Sequence, residues 1–236
     1  PRGELTRQCW TLPRESSSLA RKFKIGVPGA AEDRAAIAVH DIGLRIVRND
    51  AGEIGYKVLV GGGMGRTPFI AKTIREFLPK ADLLAYLEAV LKVYNLGGRR
   101  DNKYKARIKI LVHEIGADTY RDEVEAEFAQ VKKLGIDPPY AEFQRIAAHF
   151  ADPAFETGLS DEIDRSDPDF AVWLDQNVAA HKAPGYAIVN ISLKPTGGIP
   201  GDASSAQIDL MADLAEQLGF DELRVTHAQN IVLPHV

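Results

Sequence analysis

Residues 42–60 read IGLRIVRNDAGEIGYKVLV, and this stretch decides the fold of the first part of the chain. Branched and other apolar side chains dominate Ile42–Val47 and Ile54–Val60, as is typical of β-strands. Asn49–Gly52 lies between them and has the composition of a turn. We therefore predict that the two strands form a β-hairpin.

A third strand is predicted upstream of the hairpin, over residues 22–27, where basic and apolar side chains alternate as KFKIGV. Side chains two positions apart on a strand point to the same face, so Lys22 and Lys24 share one surface. Two ammonium groups at that spacing repel each other, and an anion between them relieves the repulsion. Arg21 adds a third cation nearby. The alternative is a solvated strand face on which the lysines extend into water.

A glycine-rich segment, GGGMGRTPF at residues 61–69, follows the hairpin. It departs from both phosphate-loop patterns. The dinucleotide pattern requires glycine where Arg66 stands, and the nucleoside-triphosphate pattern requires glycine at Val60 and lysine at Arg66. Two interpretations stay open, a backbone that another group approaches closely and a plain turn.

Beyond this loop the apolar period lengthens to that of helices. We predict a helix that follows Asp82 and ends at Gly97–Gly98, and three more over Lys103–Ile115, Asp118–Leu134 and Glu142–Phe150. Residues 99–109, RRDNKYKARIK, hold six basic residues and one acidic residue. We expect this run to open the second helix, where cations are unfavourable because the helix N-terminus is itself positive. The run indicates either an anionic partner or a solvated helix face.

Residues 151–183 are acidic and rich in turn-forming residues, and we predict that they form a linker. Beyond them we predict strand Tyr186–Leu193, helix Ser204–Leu218 and strands Glu222–Val225 and Asn230–Leu233. This β–α–β–β order is about half of a ferredoxin-like unit. The prediction is therefore an α+β protein with a domain over residues 1–150, in which helices flank a mixed sheet, and a half-domain over residues 184–236.

The composition of the 236-residue chain argues against several classes of protein. Its formal net charge is −4 at pH 7, so nothing global indicates nucleic acid or a membrane surface as partner. It has no apolar run of about 18 residues and no secretory signal at its start, and we expect a cytoplasmic protein. Cys9 is the single cysteine, too few for an iron–sulfur cluster that needs four thiolates. The six histidines show no metal-ligand spacing, although His40 and Asp41 could pair.

Several segments together resemble the sulfite/nitrite reductase hemoproteins. They are ARKFKIGV (20–27), DRAAIAVHDIGLRIV (33–47), YKVLVGGGMGRTP (56–68), RRDNKYKARIKILVHEIG (99–116) and VTHAQNIVL (225–233). The resemblance implies a siroheme coupled to a [4Fe–4S] cluster, which delivers six electrons to sulfite or nitrite in sulfur or nitrogen assimilation. It also implies ferredoxin or a flavoprotein reductase as electron donor.

The resemblance assigns roles to particular residues. Lys22 and Lys24 fall in the RKxK motif of the family, where they would face the substrate on the distal side of the siroheme iron. A lysine at position 24 resembles sulfite reductases more than nitrite reductases. The residues implied for siroheme binding are Arg21, Gly61, Gly62, Gly63, Arg100, Lys103, Arg107, Gln229 and Asn230. Sulfite or nitrite and the siroheme carboxylates would then neutralise the paired cations.

The chain also departs from the family pattern. Ala20 replaces the usual proline before RKFK, and the four cluster cysteines are absent, since Cys9 matches none of them. We therefore expect a central piece of a longer reductase that is inactive alone. The alternative from another class is a non-catalytic module that binds anions or nucleic acid through residues 99–109, although the acidic net charge argues against nucleic acid.

Overall fold

A computed structural model describes residues 23–133, 135 and 140–236 of the chain. The chain divides after Phe150 into two compact units. The first unit contains β1 (Ile25–Gly26), β2 (Ile42–Arg48), β3 (Ile54–Val60), β4 (Lys72–Pro79), α1 (Leu83–Gly97), α2 (Ile108–Ile115), α3 (Ala117–Lys133) and α4 (Tyr140–Ala148). The second unit contains α5 (Pro168–Asn177), β5 (Val178–Ala180), β6 (Ala187–Ser192), α6 (Ser205–Leu218), β7 (Arg224–Val225) and β8 (Asn230–Leu233).

The four strands of the first unit form a mixed sheet in the order β1-β2-β3-β4. β2 and β3 are antiparallel from the pair Ile42 and Val60 to the pair Arg48 and Ile54, which confirms the predicted hairpin. β1 runs parallel to β2, as the prediction of a mixed sheet requires. β4 was not predicted from the sequence; it pairs antiparallel with β3 through an irregular register.

Helix α1 lies at the centre of the hydrophobic core of the first unit. Most of its side chains are buried. The largest of those with less than 2% of their surface exposed are Tyr86, Leu87, Val90 and Tyr94. They pack with the inward residues of the sheet, such as Val58, and with buried residues of α3. Each fully buried side chain of this size contributes roughly 1.5–3 kcal/mol of transfer free energy. The packing therefore holds the sheet, α1 and α3 as one scaffold.

Polar contacts join the same three layers at their edges. Glu125 of α3 accepts hydrogen bonds from Arg75 of β4 at 2.5 Å and from the hydroxyl of Tyr86 at 2.8 Å. Burial and the Glu125 carboxylate raise the pKa of Tyr86 well above its ordinary value, so the phenol stays protonated and keeps donating. The hydroxyl of Tyr120 donates to the carbonyl of Val90 at 2.8 Å.

The basic run does not open a helix, which corrects the sequence prediction. Residues 99–107 form a loop, and α2 begins only at Ile108. Asn102 organises this loop, because its side chain accepts from the backbone N–H of Tyr104 at 3.0 Å and its carbonyl accepts from Lys105 at 2.9 Å. Arg107, in extended conformation, is the N-cap residue of α2. Four of the six cations therefore lie in the loop, whereas Arg107 and Lys109 remain at the unfavourable helix terminus.

The second unit has a sheet in the order β5-β6-β8-β7, in which every pair is antiparallel. β6, α6, β7 and β8 follow the predicted β–α–β–β order of a ferredoxin-like half. Residues 151–183, predicted as a linker, supply α5 and β5, and β5 pairs with β6. Asp167 caps α5 by accepting from two backbone N–H groups, and Ser204 and Gln207 form a capping box at α6.

Within the described ranges, no helix is both long enough and apolar enough to span a membrane.

Candidate anion-binding site

A buried ion pair between Asp41 and Arg107 organises the candidate site in the first unit. Asp41 is 1% exposed. Its Oδ1 accepts from Arg107 Nε at 2.9 Å and Nη2 at 2.7 Å, and its Oδ2 accepts from the backbone N–H of Lys24 at 3.0 Å. One carboxylate therefore fixes the entry of β1, the start of β2 and the N-cap of α2. Such a fork-shaped pair is strong and directional.

Lys24 lies directly before β1 with an exposed side chain. Its neighbours Phe23 and Ile25 are partly buried against the core, so the predicted alternation of facing holds over these residues. Lys22 and Arg21, the other cations of the motif, lie outside the described residues. The shared face of Lys22 and Lys24 stays a prediction.

The three glycines after β3 are buried and closely packed. A Cβ atom at Gly62 would lie 2.5 Å from the carbonyl oxygen of Ala38, and one at Gly63 would lie 2.7 Å from Cδ of Lys109. Gly61 has a φ of +83° and packs against Val112 of α2. Of the two interpretations left open, close approach to the backbone is therefore correct, but the approaching groups belong to the protein itself.

Lys109 holds the rest of this loop from below. Its side chain is buried, 6% exposed, and its ammonium donates to the carbonyls of Met64, at 3.0 Å, and Thr67. Burial lowers the pKa of Lys109, the cation of Arg107 lowers it further, and Asp41 opposes the shift. Sequence analysis counted Lys109 in the basic run but missed it as a site residue. Its spacing of three from Val112 was the available signal, because such residues share a helix face, and both contact the glycines.

A cleft of about 930 Å³ opens beside this loop. It is lined by Met64, Arg66, Thr67, Phe69, Asn102, Tyr104, Lys105, Arg107, Lys109, Ile110, His113 and Glu114. Four of these residues are lysine or arginine, whereas the described lining holds a single carboxylate, Glu114. The ring of His113 lies over Phe69, with centroids 4.4 Å apart. A chain of negative net charge thus concentrates positive charge at this one cleft, which favours anionic ligands.

Arg100 and Lys103, two predicted binding residues, lie exposed in the loop before α2. The guanidinium of Arg100 donates to Oδ1 of Asn95 at 3.0 Å and lies over the ring of Tyr94 at 5.0 Å. The ammonium of Lys103 lies 5.2 Å from the ring centre of Tyr104. Neither residue is among the cleft-lining residues, and nor are the three glycines, although Gly63 packs against the cleft-lining Lys109. Of the residues predicted for binding in the first unit and described in the structure, Arg107 lines the cleft.

His40 does not pair with Asp41, which corrects another expectation. Its Nδ1 lies 3.0 Å from the carbonyl oxygen of Ala36, while both oxygens of Asp41 are occupied by Arg107 and Lys24. The long-range arginine therefore displaces the neighbouring histidine as partner of the carboxylate.

Gln229 and Asn230, the remaining predicted residues, lie in the second unit at the turn between β7 and β8. Gln229 is exposed and has a φ of +57°. Oδ1 of Asn230 accepts from Lys194 Nζ at 2.7 Å, and its backbone N–H donates to the hydroxyl of Thr226 at 3.1 Å. Asn230 therefore joins the β7–β8 hairpin to the segment that follows β6, whereas Gln229 leaves its side chain at the surface.

The described residues contain no group of three or more histidine, cysteine, aspartate and glutamate residues that could hold a metal ion. The sequence has one cysteine, Cys9, which lies outside the described residues. Because a [4Fe–4S] cluster is normally held by four thiolates, the donor set of these 236 residues does not fit such a cluster.

Comparisons with known proteins give the family. Residues 9–132 match the family model "Nitrite and sulphite reductase 4Fe-4S domain", and residues 189–236 match "Nitrite/Sulfite reductase ferredoxin-like half domain". The sulfite reductase [ferredoxin] of Synechococcus elongatus is 37% identical over 133 residues, which are 52% of this chain and 21% of that protein. The assimilatory ferredoxin-dependent nitrite reductase of Haloferax mediterranei is 28% identical over 228 residues, 93% of this chain and 35% of that protein.

A solved structure shows the same fold. The Mycobacterium tuberculosis NirA protein superposes with a TM-score of 0.66 and 22% sequence identity, covering 99% of this chain and 36% of that one. The chain thus spans between a fifth and about a third of the lengths of these proteins. Because the first family model alone covers more than half of the chain, the chain belongs to the nitrite and sulphite reductase 4Fe-4S domain family.

Proposed function

We propose that this chain is the part of a siroheme-dependent sulfite reductase that holds the tetrapyrrole carboxylates and the oxyanion substrate. The observation that carries the proposal is the cationic cleft beside the glycine-rich loop, next to the strand that carries Lys24. An anionic pigment and an anionic substrate both require such a concentration of positive charge. The relatives named above, which are sulfite and nitrite reductases, support an oxidoreductase of this class.

The residues present fit siroheme. Its many carboxylates match exposed cations that can turn toward a ligand, namely Arg66, Lys105, Arg100 and Lys103. When bound, siroheme supplies the iron at which the oxyanion is reduced. The residues do not fit the [4Fe–4S] cluster, so in this proposal its cysteine ligands belong to parts of a longer reductase outside these 236 residues.

The side chains of this chain have three tasks in the proposal. Lys22, Lys24 and Arg21 attract the oxyanion, and the lysine ammonium groups donate protons as oxygen leaves, in the manner of general acids. Asp41 neutralises much of the charge of Arg107. Arg107 therefore helps to orient the bound carboxylates more than it attracts them by net charge. Gly61, Gly62 and Gly63 let the loop pack closely enough to form the cleft wall.

The substrate assigned in this proposal is sulfite, because Lys24 stands where the family resemblance implies sulfite reductases. Nitrite is the alternative, since relatives of both kinds are similar to this chain. The electron donor is ferredoxin or a flavoprotein reductase: relatives are named for ferredoxin and, in Methylorubrum extorquens, for NADPH. The chain by itself is proposed to be inactive, and a cytoplasmic location stays the expectation.

A visible-absorption titration of the chain with siroheme tests the proposal. The wild-type chain should shift the Soret band at micromolar pigment, and Arg66→Ala/Lys105→Ala should weaken the binding at least tenfold, because both cations line the cleft. Lys92→Ala is the matched control, because Lys92 pairs with Glu127 across α1 and α3 and does not line the cleft. No shift with the wild-type chain, or equal shifts in all variants, would contradict the proposal.

The second candidate is the anion- or nucleic-acid-binding module. One observation favours it: Tyr104 is 76% exposed between two lysines, and an aromatic ring flanked by cations can stack on a base. Salt-sensitive binding of a single-stranded oligonucleotide without any siroheme binding would establish this candidate and displace the reductase. Siroheme binding by a chain that does not bind the oligonucleotide at low salt would exclude this candidate.

A further inference from the structure

Lys109 is a buried cation for which the assignment above gives no task. Its ammonium contacts two backbone carbonyls, those of Met64 and Thr67, rather than a carboxylate. Carbonyl dipoles compensate a buried charge less fully than an ion pair does, so burying this ammonium costs stability. A neutral side chain of the same length would fill the space at lower cost. The position of the charge therefore calls for an explanation other than packing.

The charges around Lys109 make its burial more costly still. Arg107 is the N-cap residue of α2, and its positive charge disfavours the protonated form of Lys109. The negative charge of Asp41 favours that form. Arg66, Lys105 and His113 line the same cleft, and Glu114 is the single carboxylate among its lining residues. Asp41 already accepts the hydrogen bonds of Arg107, so little negative charge is left for Lys109 within the described surroundings. An anion that enters the cleft would supply it.

The contacts of Lys109 fix the shape of the loop. Gly63 and Phe69 close the loop with two backbone hydrogen bonds of 2.9 Å, and between them Met64 and Thr67 turn their carbonyls down onto the ammonium. The aliphatic stem of Lys109 crosses the space that Gly63 leaves open. Arg66 lies between the two anchored residues and lines the cleft. The ammonium thus sets where Arg66 stands.

We propose that Lys109 is a positioning residue: its ammonium anchors the Met64–Thr67 turn, and thereby places Arg66 at the cleft wall for a ligand that carries several carboxylates. The ligand class in this inference rests on the proposed function, whereas the anchoring does not. Lys109 acts on the ligand through the loop, and a bound carboxylate in turn offsets the unpaired charge. Loop order and ligand binding are therefore coupled.

The two methionines of the chain provide a direct readout of the anchoring. Met64 is in the loop and 67% exposed, whereas Met211 is in the second unit and 7% exposed. In a chain labelled with ¹³C at the methionine methyl groups, each gives one resonance. Lys109→Gln should move the Met64 resonance toward its random-coil position and leave Met211 unchanged. Lys109→Arg, which keeps the positive charge, should bring the Met64 resonance part of the way back to its wild-type position. Lys92→Gln is the control and should move neither resonance.

A pH titration separates anchoring by charge from packing. In the wild-type chain the Met64 resonance should shift as Lys109 loses its proton, at a pH below the ordinary pKa of lysine, because burial and Arg107 lower that pKa. Lys109→Gln should abolish this step. If Lys109→Gln fails to fold, Gly63→Ala keeps the charge but displaces the stem, and it should move the Met64 resonance in the same direction.

Binding of uroporphyrin, an iron-free tetrapyrrole with eight carboxylates, tests the coupling to the ligand. Lys109→Gln should weaken it at least tenfold, and Lys92→Gln should not. An unchanged Met64 resonance, or equal uroporphyrin binding by Lys109→Gln and wild type, would overturn the inference. If the wild-type chain binds neither uroporphyrin nor siroheme while Met64 still responds to Lys109→Gln, the proposed function fails and the anchoring stands.

Discussion

The two units bury ionisable groups in different ways. In the first unit, Lys109 and the Asp41–Arg107 pair lie beneath a cleft that is open to solvent. In the second unit, the buried group is His235, 3% exposed, and Nδ1 of its ring lies 3.0 Å from Nε2 of His181. The rings of Phe155, Tyr186 and Phe220 surround the two histidines.

The charges near each cluster show what the difference means. Burial and the cation of Arg224 lower the pKa of His235, although Glu222 opposes the shift, so a neutral imidazole is favoured there. Its ring contacts Phe155 and His181 of the segment 151–183, and its Nε2 lies 3.5 Å from Arg224 Nη2 and 3.4 Å from Glu222 Oε2. It therefore joins that segment to the sheet of the second unit. In the first unit the groups are an ion pair and a lysine that contacts backbone carbonyls, and Arg107 and Lys109 both line an open cleft. The open surroundings therefore make the cluster of the first unit the better candidate for a binding site.

The largest expected effect is that of breaking the ion pair of the first unit. Asp41→Asn leaves the partly buried guanidinium of Arg107 without its counter-ion. Loss of one partner of a fully buried pair costs about 3–5 kcal/mol, which is the upper limit here because Arg107 lines an open cleft. Hydrogen exchange of the α1 and α3 amides during urea unfolding measures the change. The amides of β6 serve as an internal control in the second unit.

Asp101→Asn is the matched control for this prediction, because its pair with Arg99 is exposed and surface pairs contribute little. Equal effects of Asp41→Asn and Asp101→Asn would contradict the contrast between the two kinds of pair. It would mean that the Asp41 carboxylate is not protected from water in solution.

A smaller loss is expected when the close packing of the glycine loop is disturbed. The new Cβ of Gly62→Ala meets the backbone carbonyls of Ala38 and His40, which cannot move as a flexible side chain can. Overpacking of this kind costs about 1–3 kcal/mol. Gly29→Ala is the control, because a Cβ there meets no atom within 4 Å. Thermal unfolding compares the two variants, and equal melting temperatures would show that the loop is not packed as described.

The pH dependence of stability separates the second unit from the first. His235 has a pKa below its ordinary value of 6.5 in the folded chain, so the unfolded chain binds more protons in the window between the two values. Stability of the second unit should therefore rise with pH through that window and fall as the solution is acidified below pH 6.5. His235→Gln should flatten this dependence in the exchange of the β6 and β8 amides.

The pH experiment has an internal contrast. Protonated His235 would face Arg224, His181 and Lys182, with Glu222 and Asp152 as the nearby carboxylates. If acidification stabilised the second unit, the effect of the carboxylates on the pKa of His235 would exceed that of burial. His235 would then favour its charged form, and the contrast between the two units would be wrong.

Local patterns of the sequence predicted what depends on neighbours along the chain. The branched and apolar residues of Ile42–Val47 and Ile54–Val60, with a turn between them, predicted the hairpin, and the β–α–β–β order predicted the half-domain. β4, KTIREFLP, was missed because charged residues interrupt its apolar positions, of which Ile74 and Leu78 are buried. The helix predicted from Lys103 begins at Ile108, because the turn around Asn102 competes with helix formation.

The candidate site depended on contacts that no local pattern contains. Asp41 and Arg107 are 66 positions apart, and Lys109 and Met64 are 45 apart. A lysine in a basic run is ordinarily solvated, and only the position of the glycine loop decides that Lys109 lies beneath it. The alternation of KFKIGV and then the family resemblance directed attention to Lys22 and Lys24, whereas the Asp41–Arg107 pair and the burial of Lys109 are apparent only from the fold.

The smallest expected effect concerns two tyrosines in the core of the first unit. The hydroxyl of Tyr94 is buried and has no hydrogen-bond partner among the described residues, so Tyr94→Phe should leave stability unchanged or raise it. The hydroxyl of Tyr120 donates to Val90, so Tyr120→Phe should cost about 0.5–1.5 kcal/mol. Urea unfolding of the two variants gives the difference. A larger loss for Tyr94→Phe than for Tyr120→Phe would reverse this order, and it would mean that Arg100, whose guanidinium lies over the Tyr94 ring, hydrogen-bonds to the hydroxyl in solution.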